Sequence, residues 1–280
     1  MVFAATLTDL GDRTHLAHPG TDLDAHVQDV ANVLFYEDLK RMILVGHSYG
    51  GRVITGVADT SADRLAHLIY VDAFVPTPEN PGGTIISATA QARIDGEGDG
   101  WRNPPGDAPP DQPSEIIEWA RPRRSWQPVK TFTQPVRFTN PVPNLARTYV
   151  YCTVGKDPAS PFAKLALQLR DDPAWTDHQL ETGHNLHYTA PDATVAILAG
   201  IGDAQDRGAY RTPGTMMWMT HLPRWRERGH RELRSASVPS AALQVHGREV
   251  RQAVHERGPD GLGTFGRHTL ETGRDRRFGV

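Results

Sequence analysis

The sequence predicts an α/β fold: a mostly parallel sheet with flanking helices and a cap. Three observations lead there. Short apolar runs are closed by turn residues, amphipathic helical segments alternate with them, and a Gly-His-Ser-Tyr-Gly-Gly turn joins one run to one segment.

Val2 to Leu7 is a short apolar run containing a threonine, as expected of a buried strand, and it begins almost at the first residue. From about Leu23 to Leu39, residues Ala25, Val27, Val30, Val33 and Leu34 fall at helical spacings, with Asp22 or Asp24 placed to cap the start. Met42-Ile43-Leu44-Val45, ended by Gly46, suits a strand covered on both faces. Arg52 to Asp59 then carries Val53, Ile54 and Val57 in a helical pattern. Leu68 to Val71 and Arg147 to Thr153 supply further strands. Residues 161–170 and 191–199 read as helices, each opening on a proline, which a first helical turn accepts. Such alternation implies a doubly wound parallel sheet.

Residues 77–144 break this rhythm with many prolines and glycines and with Trp101, Trp119 and Trp126, so a lid or cap is expected there. Residues 201–280 are rich in arginine and glycine, contain several histidines and show no sustained apolar period. The expected organisation is a main domain over 1–200 followed by a poorly ordered, irregular tail over 201–280. The tail reads as solvated rather than polyanion-binding, because aromatic interleaving and a nucleic-acid-binding fold are both lacking.

A formal net charge of −3 over 280 residues creates no overall field that attracts nucleic acid. Cys152 is the single cysteine, which excludes an intramolecular disulfide and a zinc site built on several thiolates. The first residues lack a basic region followed by a long apolar stretch, and no run reaches the ~18–20 apolar residues of a membrane-spanning helix. A soluble, cytoplasmic chain that handles a small molecule, without nucleic-acid or membrane partners, is the expectation; composition leaves its oligomeric state open.

The chemistry concentrates in Gly46-His47-Ser48-Tyr49-Gly50-Gly51. In a nucleophile elbow the serine sits on a strained turn, and small flanking residues let strand and helix approach closely enough to hold it. Ser48 is the expected nucleophile, with the Tyr49 N–H as one oxyanion donor at the start of the following helix. A serine hydroxyl needs a base, and Thr182-Gly183-His184-Asn185-Leu186-His187 lies where such a fold places one. His184, directly after the glycine, is favoured over His187, which reads as a loop or packing histidine. His47 is expected to point away from the nucleophile and to bond locally. For the acid, Asp157 is favoured because it keeps the order Ser, Asp, His, and Asp72, at the end of an adjacent strand, is the alternative.

With these residues in hand, the sequence resembles the α/β-hydrolase superfamily, and within it the esterase branch related to hydroxynitrile lyases and methyl-salicylate-type esterases. T-L-T-D-L-G-D-R-T-H-L, L-V-G-H-S-Y-G-G, L-I-Y-V-D-A-F-V-P, K-T-F-T-Q-P-V and T-G-H-N-L-H-Y-T-A-P carry the resemblance from about Val2 to Ala199. It implies an α/β-hydrolase fold and a hydrolase or lyase that needs no cofactor and no metal, with an apolar pocket under the cap. A carboxylesterase-like enzyme cleaving a small ester is the leading expectation. A cyanohydrin lyase would need a cation beside the base, where Asn185 follows His184.

Two departures stand out. The family usually opens with two strands and a third that ends in an oxyanion-hole loop and lies between the strands at Val2–Leu7 and Met42–Val45. Here the chain opens at what looks like the next strand, as an N-terminally truncated product would, leaving either a gap or a re-paired sheet. The 201–280 stretch matches nothing in the family. A catalytically impaired fragment serving as a binding module is therefore a third expectation.

Overall fold

A computed structural model describes residues 2–83, 85–108, 112–208 and 216–219, all within Met1–Arg226, the first of the two compact units into which the chain divides. In chain order the main elements are β1 (Val2–Ala4), α1 (Leu23–Tyr36), β2 (Met42–His47), α2 (Gly50–Ser61) and β3 (Leu65–Val71). The insert follows with α3 (Ala88–Glu97), β4 (Arg102–Asn103), α4 (Ser114–Ala120), β5 (Gln127–Pro128) and α5 (Val129–Thr133). Then come β6 (Ala146–Cys152), α6 (Pro161–Arg170), β7 (Thr176–Leu180), α7 (Leu186–Thr189), α8 (Pro191–Gly208) and β8 (Met216–Met219).

Six strands form one sheet in the order β1-β8-β2-β3-β6-β7, and every pairing in it is parallel. The central strands explain themselves by alternation. Along β2, Met42 and Leu44 enter one core cluster while Ile43 and Val45 enter the other; Leu68 and Tyr70 are divided from Ile69 and Val71 along β3 in the same way. Each of these β2 side chains is at most 1% exposed. Burying an aliphatic side chain so completely contributes about 1.5–3 kcal/mol. The first face is covered by α1 and α2, and the second by Leu186, Leu198 and Ile201. Helix α1 buries Leu23, His26, Val30 and Leu34, a single stripe, and Asp22 caps it by accepting from the Ala25 amide at 3.0 Å.

Several boundaries differ from the sequence-based expectation. Strand β1 ends at Ala4, although Leu7 and Leu10 beyond it are buried in the core. Helix α8 continues to Gly208. Strand β7 has the composition Thr-Asp-His-Gln-Leu, without a full apolar face, so periodicity gave no sign of it.

The slot between β1 and β2 is filled, so the sheet is re-paired rather than gapped. Strand β8 lies there, with Met217 opposite Phe3 on one side and opposite Leu44 on the other. Met217 is fully buried. Met216-Met217-Trp218-Met219 is an apolar run of four within the stretch expected to be irregular, too short to reveal a period. The rest of that stretch, 209–215 and 220–280, lies outside the described residues.

Two charged residues of α2 hold the insert. Arg52, fully buried, donates to the carbonyls of Thr131 (3.2 Å) and Phe132 (2.9 Å), and also to those of Gly82 and Gln134. Seven positions along the helix, the Asp59 carboxylate accepts from the Thr139 hydroxyl (2.6 Å) and the Asn140 amide (2.9 Å). Among the described residues no helix is long and apolar enough to cross a membrane.

Candidate active site

Strand β2 runs into Ser48, whose φ of 54° lies in the left-handed region that a non-glycine residue adopts only under constraint. The constraint is visible on both sides. A Cβ at Gly46 would stand 2.6 Å from the Gly50 carbonyl oxygen, and one at Gly51 would stand 2.1 Å from that of Phe74. Only glycine allows strand and helix to close on the turn so tightly. The Ser48 amide donates to the Val71 carbonyl at 3.1 Å, and its own carbonyl accepts from the amides of Gly51 and Phe74, both at 3.2 Å. The turn is thereby stitched to the chain leaving β3.

Asp72 begins that chain. His47 pairs with Val71, and Val71 with Val150, so β2, β3 and β6 present their carboxyl ends at one level. One residue further, Asp72 also has positive φ, 43°, and donates its amide to the Val150 carbonyl at 2.7 Å. Its carboxylate is fully buried, and Oδ2 is hydrogen-bonded to His184 Nδ1. With Nδ1–H given to the carboxylate, the Nε2 lone pair of His184 is available to take a proton.

His184 sits in the loop between β7 and α7, with 31% of its side chain exposed. Phe162 of α6 stacks on it, with centroids 5.7 Å apart and planes within 17°. His47 ties this loop to the Ser48 turn: Nε2 bonds the His184 carbonyl oxygen at 2.7 Å, and the two rings lie 4.6 Å apart. That bond spans 137 positions, so the role of His47 is not the local one expected from its place in the chain. His187, on α7, packs edge-on against His47 at 5.3 Å. Among the described residues Ser48 Oγ makes no hydrogen bond; catalytic hydrogen bonds commonly tighten only as substrate binds.

Asp157, the acid favoured from sequence order, is exposed, and its Oδ1 accepts from the Ala159 amide at 2.8 Å as a turn cap. The carboxylate on His184 is that of Asp72, the alternative. The reason is register: an aspartate directly after β3 is held level with the elbow, whereas Asp157 follows Val154-Gly155-Lys156 and has already turned outward. Sequence reasoning also missed Lys156, whose ammonium bonds the same Asp72 Oδ2 and lies 4.8 Å above the Phe162 ring. Strand-end register is the signal that ranks Asp72 above Asp157; nothing in the spacing pointed to Lys156.

Tyr49 turns its ring into the core, where its hydroxyl meets His26 Nδ1 at 2.8 Å and Phe132 packs against it. Burial raises the phenol well above its ordinary range and lowers the imidazole of His26, disfavouring the charged form of each. Among the described residues no group of three or more His, Cys, Asp or Glu side chains is arranged to hold a metal ion.

Comparison with known proteins agrees with this architecture. A carbendazim hydrolyzing esterase of Nocardioides sp. (strain SG-4G) is 29% identical over 221 residues, covering 72% of this chain and 88% of the relative. Tomato methylketone synthase I, solved with 2-tridecanone, superposes with a TM-score of 0.59 at 16% identity, over 71% of this chain and 85% of that one. An extracellular alpha/beta-hydrolase from a Paenibacillus species gives a TM-score of 0.55 at 18% identity, over 69% and 84% of the two chains. Both structures share the fold. The profile of the alpha/beta hydrolase family matches residues 2–197, and the chain belongs to the alpha/beta hydrolase family of enzymes.

Proposed function

We propose that this chain is a serine esterase acting on a small ester through Ser48, His184 and Asp72. Ser48 Oγ attacks the ester carbonyl while its proton passes to His184 Nε2; the proton then goes to the departing alkoxide, which leaves as the alcohol. Water, deprotonated by the same nitrogen, releases the acid and restores Ser48. Asp72 holds the imidazole in the tautomer with Nδ1–H and stabilises the imidazolium. The Tyr49 N–H, at the positive end of α2, meets the developing oxyanion.

The observation that carries this reading is the His184–Asp72 bond at the same strand-end level as the strained Ser48 turn. A relative that is a carbendazim hydrolyzing esterase supports the ester substrate. Cleavage of a cyanohydrin asks for a free cation at the base, and the ammonium found there, Lys156, is engaged by Asp72.

A fluorophosphonate probe and a p-nitrophenyl ester test the proposal. The wild-type protein is expected to be labelled and to hydrolyse the ester, and Ser48→Ala to do neither. A folded wild-type protein that stays unlabelled and inactive on an ester panel would end the serine-esterase reading.

A further inference from the structure

Lys156 has no part in the proton transfers above, yet it is more deeply placed than most lysines. Its side chain is 12% exposed, and its partner Asp72 is 0% exposed. The ammonium and His184 Nδ1 bond the same oxygen, Oδ2, while Oδ1 is buried with no hydrogen-bond partner among the described residues. The ammonium also lies over Phe162, and Phe162 stacks on His184. Lys156, Asp72, His184 and Phe162 thus form a closed circuit of contacts, each member touching two others.

We propose, resting on the triad reading above, that Lys156 is a positioning residue: it fixes the rotation of the Asp72 carboxylate and so the direction in which His184 presents Nε2. A carboxylate whose only partner is the imidazole can turn about its Cβ–Cγ bond and offer either oxygen. The orphaned Oδ1 shows that the backbone around Asp72 supplies no second anchor. A second donor on Oδ2 removes that freedom, and the Phe162 ring holds donor and imidazole at a set separation. Lysine suits the task because its ammonium is a point donor that shares one oxygen; a guanidinium fork would draw both oxygens towards itself.

The test uses the full chain and p-nitrophenyl acetate. Lys156→Met is expected to lower kcat by roughly 10–100-fold, the cost of a misdirected catalytic group, while KM changes by less than about 2-fold. Lys156→Arg is expected to recover part of the loss. In an Asp72→Asn background, Lys156→Met is expected to do nothing further, because its effect runs through the carboxylate. A folded Lys156→Met protein with wild-type kcat overturns the proposal, as does a loss of equal size in the Asp72→Asn background. Should Lys156→Met fail to fold, Phe162→Leu takes its place: a drop in kcat at constant KM supports the circuit, and an unchanged kcat overturns it. Failure of the serine reading is separate, since it would show already as an unlabelled wild-type protein.

Discussion

Ser48 and Asp72 leave adjacent strands in the same manner: each is the first residue beyond the paired positions His47 and Val71, and each turns with positive φ, 54° and 43°. Two non-glycine residues in that region store about 1–3 kcal/mol apiece, strain that persists only where the surroundings over-determine it. Here amide bonds to the neighbouring strands do so, Ser48 to Val71 and Asp72 to Val150. Ser48 and Asp72 are therefore placed by one device, applied twice.

The first prediction contrasts the two aspartates. Asp72→Asn is expected to lower kcat/KM on an ester substrate by ~10⁴-fold, the size of loss seen when a triad carboxylate is neutralised. Asp157→Asn, which alters an exposed turn cap, is expected to stay within about 2-fold. Steady-state kinetics on both proteins decide it; the reverse ranking would return the acid's role to Asp157.

Gly51→Ala tests the closeness of strand and helix. The added methyl would meet the Phe74 carbonyl oxygen at 2.1 Å, a backbone atom with little room to retreat. The turn must open, and Ser48 moves with it. Expected are a stability loss of at least about 1–3 kcal/mol by urea unfolding and a larger relative fall in probe labelling.

Arg52→Met removes a buried side chain that serves four carbonyls of the insert. Each acceptor left without a donor costs about 1–3 kcal/mol if water does not reach it. Limited proteolysis is expected to cut first within 77–144, well before the sheet strands. Cleavage indistinguishable from wild type would show that the insert is held by other means.

His67, on β3, is buried beside Thr148, to whose hydroxyl oxygen its Nε2 is bonded at 2.8 Å, and burial depresses its pKa from 6.5 to about 4. The unfolded chain takes up this proton near pH 6.5 and the folded chain only near pH 4. Stability is therefore full above pH 6.5 and falls as pH drops towards 4, by on the order of 3 kcal/mol from this group. Thermal melts from pH 7 to pH 4 are expected to show the decline, and His67→Gln to flatten it.

Cys152 is fully buried, and burial together with the charge of Asp72 pushes its thiol up to about 12. At pH 8 it is protonated and shielded, so iodoacetamide is expected to leave the native protein unmodified and to label it stoichiometrically in denaturant. Rapid native labelling would mean that the edge of the sheet near β6 opens readily.

How much of this was legible in the sequence depended on how locally each feature is encoded. The elbow was readable because Gly46, Ser48 and Gly51 lie within six residues and their spacing is itself the geometry. Strands β2, β3 and β6 announced themselves because both faces are buried and their apolar runs are continuous. Choosing between Asp72 and Asp157 needed the register of β2 against β3, which chain order does not contain. Lys156 and Arg52 act across 84 and about 80 positions, and a charged residue in a sequence says nothing of the buried oxygen it will meet. Strand β8 was illegible for the same reason, since four apolar residues cannot name their partners.

That strand has a consequence for biosynthesis. Residues 216–219 sit beside β2, which leaves the ribosome more than 160 residues earlier. Until Met219 emerges, the nascent β2 exposes a row of unpaired amides and carbonyls along one side, a surface that invites chaperones or a stray neighbour. A premature stop codon before position 216 would trim what resembles a dispensable extension and yet deny the enzyme the strand that joins β1 to the rest of its sheet.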